Sequence, residues 1–248
     1  MEILDKIIEY GELKAENEII KDLFIGVFLT YVKTRGYGLA YTYRESLKPP
    51  HLLLPITNRG SLRGRKAGGI ISYIKSKNPL EATVGLAALN SVLEIPNDTV
   101  ELKNGFGPYI VNECAGKKVA MIGYFPFMDK LREKADEFYL FEKTIDSVDA
   151  KKDLSTLSNA EILITTGTII INHSVEEIIK KAENCRIIMV GPSTPFCQVL
   201  FDYGIDEILS MSVYDPRIMV ETLSEGVIVP ELKGVKKLSW KKKKASFH

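Results

Sequence analysis

Residues 117–143 read KKVAMIGYFPFMDKLREKADEFYLFEK. A short apolar run, Val119–Ile122, breaks at Gly123, an amphipathic charged stretch follows, and a second run, Phe138–Phe141, ends at Glu142. Ile162–Thr165, Ile187–Val190 and Glu207–Leu209 continue the series, with helix-patterned sequence between them. Apolar runs this short and unbroken suit strands buried on both faces, and their alternation with helices makes the sheet parallel. The reading is α/β: a Rossmann-like parallel sheet with helices on both faces, spanning residues 113–228.

Working outward, residues 1–112 read as a smaller α+β capping domain. Ile3, Leu4, Ile7 and Ile8 have helical spacing. LFIGVFLTYV (23–32) reads as a strand, Arg35-Gly36-Tyr37-Gly38 as a turn and Leu39–Tyr43 as the returning strand. Pro49-Pro50 ends regular structure, and Asn58–Lys66 is a basic loop punctuated by Gly60 and Gly64. Asn78-Pro79-Leu80-Glu81 opens a helix as a capping box, and TVGLAALNSVL (83–93) continues it in small apolar residues suited to close packing. Ser174-Val175-Glu176-Glu177 repeats the capping pattern, and Gly204 suits the end of a helix over Phe196–Tyr203. Beyond 228 comes a basic tail carrying Lys236, Lys237 and Lys241–Lys244. The net charge of +1 depends on it: without those six lysines, 27 basic residues face 32 acidic ones, a net of −5. Such a tail reads as a solvated terminus.

An apolar fraction of 45% and a charged fraction of 26% are those of a globular protein. No apolar run reaches the roughly 18 residues of a membrane helix. Cys114, Cys185 and Cys197 lie far apart, which fits reduced thiols and a cytoplasmic location better than a disulfide framework.

Ligands of open parallel sheets bind beyond the carboxyl ends of the strands. The loops there are Gly123-Tyr124-Phe125-Pro126, Glu142-Lys143-Thr144, Thr166-Gly167-Thr168, Gly191-Pro192-Ser193-Thr194-Pro195 and Tyr214-Asp215-Pro216. Tight βα turns use the same residue types, so composition alone marks the edge rather than a site. In the fourth loop, Pro195 at a first helical position makes Thr194 its N-cap, and such a turn offers N–H donors to an anion. Cys197 then falls in that first turn, although a small buried packing role is the plainer reading. Glu142 stands 19 residues after Gly123, near the roughly 20-residue offset of a ribose-binding acid. Phe125 and Pro126, however, replace what a dinucleotide fingerprint needs as glycine and N–H donor. His51, His173 and His248 are scattered, and no metal-ligand spacing such as C-x-x-C or H-E-x-x-H occurs.

Taken in order, Gly123-Tyr124-Phe125-Pro126-Phe127, Glu142, Thr165-Thr166-Gly167-Thr168 with Asn172, Gly191–Pro195, Gly204 and Asp215-Pro216 resemble the heavy-metal-chelation family, an uncharacterised prokaryotic group. Gly60-Ser61-Leu62-Arg63-Gly64 and Gly85–Asn90 extend the resemblance over roughly residues 10 to 220. It implies a Rossmann-like domain, a capping domain similar to the N-terminal domain of enolases, and a cleft between them. Tyr124 stands where a histidine is expected in many relatives.

The leading expectation is therefore a protein that binds a divalent heavy-metal ion, or a small anionic metal-binding molecule, in the interdomain cleft. Gly191, Ser193 and Thr194 supply anion donors with help from Thr166 and Thr168. Glu142 and Asp215 supply ligand oxygens, and Tyr124 and Phe125 an aromatic wall; Gly123, Pro126, Gly167, Asn172 and Pro192 complete the lining. The alternative is a nucleotide- or S-adenosylmethionine-type enzyme using Glu142 for ribose hydroxyls. A third reading, RNA association through Arg59, Arg63, Arg65, Lys66 and the tail, is disfavoured. No membrane partner is expected, and self-association is left open.

Overall fold

A computed structural model of the chain describes residues 2–43, 55–141 and 154–243. Its larger sheet has seven strands in the order β6-β5-β7-β8-β9-β10-β4. β5 (Lys118–Ile122), β6 (Glu137–Phe141), β7 (Ile162–Thr166), β8 (Arg186–Val190) and β9 (Ile205–Val213) are mutually parallel, at the positions of the five apolar runs. Their order reverses between β5 and β7, a topological switch point.

The basic tail is the main departure from expectation. Val235–Lys241 forms β10, antiparallel to β9, and β4 (Val100–Glu101) pairs with β10 at the edge. Leu238 and Ser239 are buried, while the lysines find partners: Lys236 pairs with Glu101 at 3.0 Å and Lys243 with Asp98 at 3.3 Å. Lys241 lies over the Tyr109 ring, and Lys242 donates to the Phe201 carbonyl. Alternating charge along this strand hid it, because the run VKKLSWK carries only one buried apolar side chain among its lysines.

Each face of the sheet carries helices. On one, Val119, Met121, Ile164, Ile188 and Val190 pack with Phe106 and Ile110 of α4 (Phe106–Glu113) and Leu131 of α5 (Met128–Lys134). On the other, Ala120, Leu163, Ile187, Met189 and Ile208 share one apolar cluster with α1 (Glu2–Lys14) and α3 (Pro79–Val92). That same face carries α6 (Thr168–Ile171), α7 (Val175–Lys181) and α8 (Val199–Asp202). The core is thus continuous across the boundary expected near residue 112. Ile3 N–H donating to Glu176 and Tyr203 OH donating to Glu2 tie α1 to the second half.

The N-terminal part has a three-stranded antiparallel sheet of β1 (Asp22–Ile25), β2 (Leu29–Lys33) and β3 (Tyr37–Tyr41), with α2 (Ala67–Ile71) beside α3. The expected strand 23–32 is two strands, because Gly26 N–H bonds the Leu29 carbonyl and closes a turn that a Cβ at Gly26 would block, 2.7 Å from that oxygen. α3 is buried along nearly its whole length. A Cβ at Gly38 would lie 2.1 Å from the Ala87 carbonyl oxygen, so β3 rests directly on the helix backbone. Asn78 caps α3 as expected, accepting from Leu80 N–H at 3.1 Å. Glu81 instead accepts from Thr57 N–H and Ser76 Oγ, and the capping box does not close. Nor does Ser174 cap α7: its hydroxyl donates to Asn172 Oδ1.

Candidate functional site

At the switch point, Gly123 follows β5 with φ +95°, a backbone shape that favours glycine, and a Cβ there would sit 3.3 Å from the Thr166 methyl. Thr166 Oγ1 accepts from Thr168 N–H and faces Thr168 Oγ1, each at 3.3 Å. Tyr124 stands 57% exposed between Gly123 and Phe125. Phe125 stacks on Phe127 with ring centroids 5.3 Å apart, and Pro126 is exposed. Asn172 Nδ2 reaches Tyr43 OH at 3.4 Å, bringing the end of the N-terminal sheet to this edge. Phe125 thus fills the place where a pyrophosphate requires open backbone, which counts against the nucleotide alternative. Glu142 lies outside the described residues, as does His51.

The fourth loop behaves otherwise. Gly191–Cys197 is buried throughout, and no helix starts at Pro195; the chain stays irregular until α8, whose N-cap is Gln198. Thr194 is therefore no N-cap, and the helix N-terminus expected to present anion donors does not form there. Ser193 Oγ accepts from Tyr41 N–H at 2.8 Å, and Asn90 Nδ2 donates to the carbonyls of Leu39 (2.8 Å) and Pro192 (3.3 Å). A Cβ at Gly167 would come within 2.3 Å of Ser193 C and O, so the β7 and β8 loops meet backbone to backbone. Between them, β3 and α3 close a cavity of about 120 Å³, lined by residues that include Gly38, Leu39, Asn90, Thr194, Phe196 and Ser210. Of its lining, Pro192 and Thr194 were anticipated. The signal for Asn90 was its isolation as the one amide in an otherwise small and apolar helix.

Asp215 caps α9 (Pro216–Ser224), accepting from Ile218 N–H at 3.1 Å. It follows β9, which three strands separate from β6, the strand leading to Glu142. Four strand spacings come to roughly 19 Å, which sets the strand ends leading to the proposed Glu142–Asp215 pair far apart. At the opposite edge, wholly buried Glu207 accepts from Tyr109, Ser239 and Arg186, each at 2.6 Å. That compensated charge is a pillar of the sheet rather than part of a ligand site.

Two family models match the chain, over residues 8–93 and 108–241, and both carry the description "Putative heavy-metal chelation". The chain belongs to the heavy-metal-chelation family. Among solved structures, it resembles a protein of unknown function from Desulfitobacterium hafniense DCB-2 at 23% identity and TM-score 0.78, covering 96% of this chain and 100% of that one. A second such protein, from Pyrococcus horikoshii, matches at 22% identity and TM-score 0.79, covering 97% and 100%. Both are assigned to the DUF364 family, and at this identity they show the fold alone. Among curated proteins, none matches this sequence.

For a member of the heavy-metal-chelation family the donor set is sparse. Among the described residues, no three His, Cys, Asp or Glu side chains gather in a way that could hold an ion. All three thiols are buried. Burial pushes Cys114 and Cys197 up to about 12 and raises Cys185, so none is poised as the thiolate that metals require. Cys197 is the packing residue its plainer reading made it. His173 Nε2 is engaged with the Ile74 carbonyl at 2.7 Å. These residues do not fit a bare-ion centre. No helix among the described residues is long and apolar enough to cross a membrane.

Proposed function

We propose that the chain binds a heavy metal as a complex with a small, flat, anionic organic molecule, in the crevice between the ends of β5 and β7. The observation that carries this reading is Tyr124: a large aromatic side chain left exposed at the switch point, directly after Gly123, whose Cα faces the Thr166 side chain. An exposed ring offers a stacking face to a planar ligand, and hydroxyls can donate to its carboxylate oxygens. Gly123 has no side chain to obstruct the approach, and Asn172, just past α6, reaches Tyr43 of the N-terminal part at 3.4 Å. The metal is cargo held by its own chelator, which accords with the family description and with the absence of a ligand trio among the described residues.

Nickel dipicolinate, a flat dianionic chelate, tests it by isothermal titration. The complex is expected to bind at least about tenfold more tightly than nickel alone, with Tyr124→Ala removing most of that gain. Equal binding of free nickel, or an unchanged affinity in Tyr124→Ala, would sink the proposal.

A further inference from the structure

Where α1, the end of α3, the β8 loop and β10 meet, a hollow of about 240 Å³ opens to solvent. Lys14 is the last residue of α1, Glu94 follows α3, Phe196 belongs to the β8 loop and Trp240 to β10, and all four line this space. Its walls thus come from segments far apart in the chain, and tertiary packing rather than one surface loop shapes it.

The floor is apolar and held in place. The Trp240 ring packs with centroids 4.6 Å from Phe201 and 6.5 Å from Phe196, both of which are buried. Leu93 and Ile95 add aliphatic surface, and Ile95 is left 42% exposed. A ligand that covers this surface gains from removing it from water.

The rim carries two opposite charges. The Lys14 ammonium lies 5.6 Å from the centroid of the Tyr10 ring, which also lines the hollow. Burial raises the Tyr10 phenol, and Cys197 and the Glu94 carboxylate add to that rise, so Glu94 lies near the same ring. Among the described residues, neither Lys14 nor Glu94 forms an ion pair, with the other or with a third residue. A ligand with a single charge meets one of these groups and leaves the other unmet. A zwitterion meets both through charge-assisted hydrogen bonds. The volume has room for roughly eight waters, or for an amino acid of about nine heavy atoms such as leucine.

We infer that this hollow is a second binding site, separate from the β5–β7 crevice, for the zwitterion of an apolar α-amino acid. Its carboxylate meets Lys14, its ammonium meets Glu94 and its side chain lies against Phe196 and Trp240.

Trp240 is the only tryptophan of the chain, so indole fluorescence of the full protein reports on this wall. L-Leucine is expected to change it saturably. Isopentylamine, which is leucine without the carboxylate, and 4-methylpentanoate, which is leucine without the ammonium, should each bind at least about fivefold more weakly. Lys14→Met should weaken leucine by a similar factor and leave isopentylamine unchanged. Glu94→Gln should weaken leucine and leave 4-methylpentanoate unchanged. Both side chains reach solvent, so both variants should melt with wild type. Three results would each overturn the inference: no saturable response to leucine, an equal response to either analogue, or an unchanged leucine affinity in either variant. Tyr124→Ala should leave leucine affinity as it is. A loss there would place the amino acid in the crevice instead, so this inference and the crevice reading fail separately.

Discussion

The loops after β7 and β8 are built from the same kinds of residue, Thr-Gly-Thr in one and Gly-Pro-Ser-Thr-Pro in the other, yet they have different uses. The β7 loop keeps Thr166 and Thr168 partly exposed at the switch point, whereas the β8 loop is sealed beneath β3 and α3. Residue type marks the ligand-binding edge of the sheet; what packs over each loop decides whether it meets ligand or holds the molecule together. The covering groups, Tyr41 N–H and the Asn90 side chain, lie 152 and 102 residues from their partners in the chain.

Substitutions at glycine break this comparison most sharply. Gly167 has an ordinary φ of −61°, so its requirement is steric: an added Cβ meets the Ser193 backbone at 2.3 Å. Gly167→Ala is expected to cost about 3 kcal/mol or more in denaturant unfolding, because backbone cannot step aside as a side chain can. Gly191 has φ +118° with nothing within 4 Å of a built Cβ, so Gly191→Ala carries only conformational strain, about 1–2 kcal/mol. Equal losses at the two positions would mean that the loops are not held by mutual contact. Ser193→Ala comes next. It removes the hydrogen bond that Tyr41 N–H donates to Ser193 Oγ and should cost about 1–2 kcal/mol while leaving nickel dipicolinate affinity unchanged. Tyr124→Ala should do the reverse, moving stability by less than about 0.5 kcal/mol and affinity strongly. If Ser193→Ala also weakens the chelate, the two loops form one site after all.

Four of the five central strands were legible as nearly continuous apolar runs, a pattern imposed by burial on both faces, while β9 (IDEILSMSV) showed only the short Ile208-Leu209 pair after its buried Glu207. β10 was not, because four of its seven residues are lysines or serine, and their partners Glu101 and Tyr109 come from elsewhere in the chain. The β1–β2 turn was concealed by lying within an apolar segment, with Gly26 as its only trace. Of the candidate site, the switch-point residues were readable, since topology places loops without reference to their partners. The buried role of Ser193 and Thr194 was not, since a hydroxyl's exposure depends on tertiary contacts that local pattern does not encode. Thr194 as a helix cap failed for a related reason: Pro195 permits a helix start without requiring one.

The smallest expected effect sharpens the contrast within α3, whose two ends bury polar groups under opposite conditions. Asn90 Oδ1 lacks a partner, while the Glu81 carboxylate accepts from both Ser76 Oγ and Thr57 N–H. Burial alone pushes Glu81 up, but these hydrogen bonds to its ionised form outweigh that and leave it below the usual carboxylate range. A depressed folded value means that the stabilisation is fully present above the unfolded value of about 4.3 and is lost as pH falls through the lower folded value. Glu81→Gln keeps an oxygen acceptor but not the charge. Its deficit relative to wild type should therefore stay constant from pH 7 to about 5, at about 1 kcal/mol or less, and shrink below about pH 4 as wild type itself protonates. Urea midpoints of both proteins between pH 3 and 7 measure the gap. A gap that is unchanged at the acid end would show that the carboxylate's charge contributes nothing there and that shape alone holds Thr57 and Ser76 to the start of the helix.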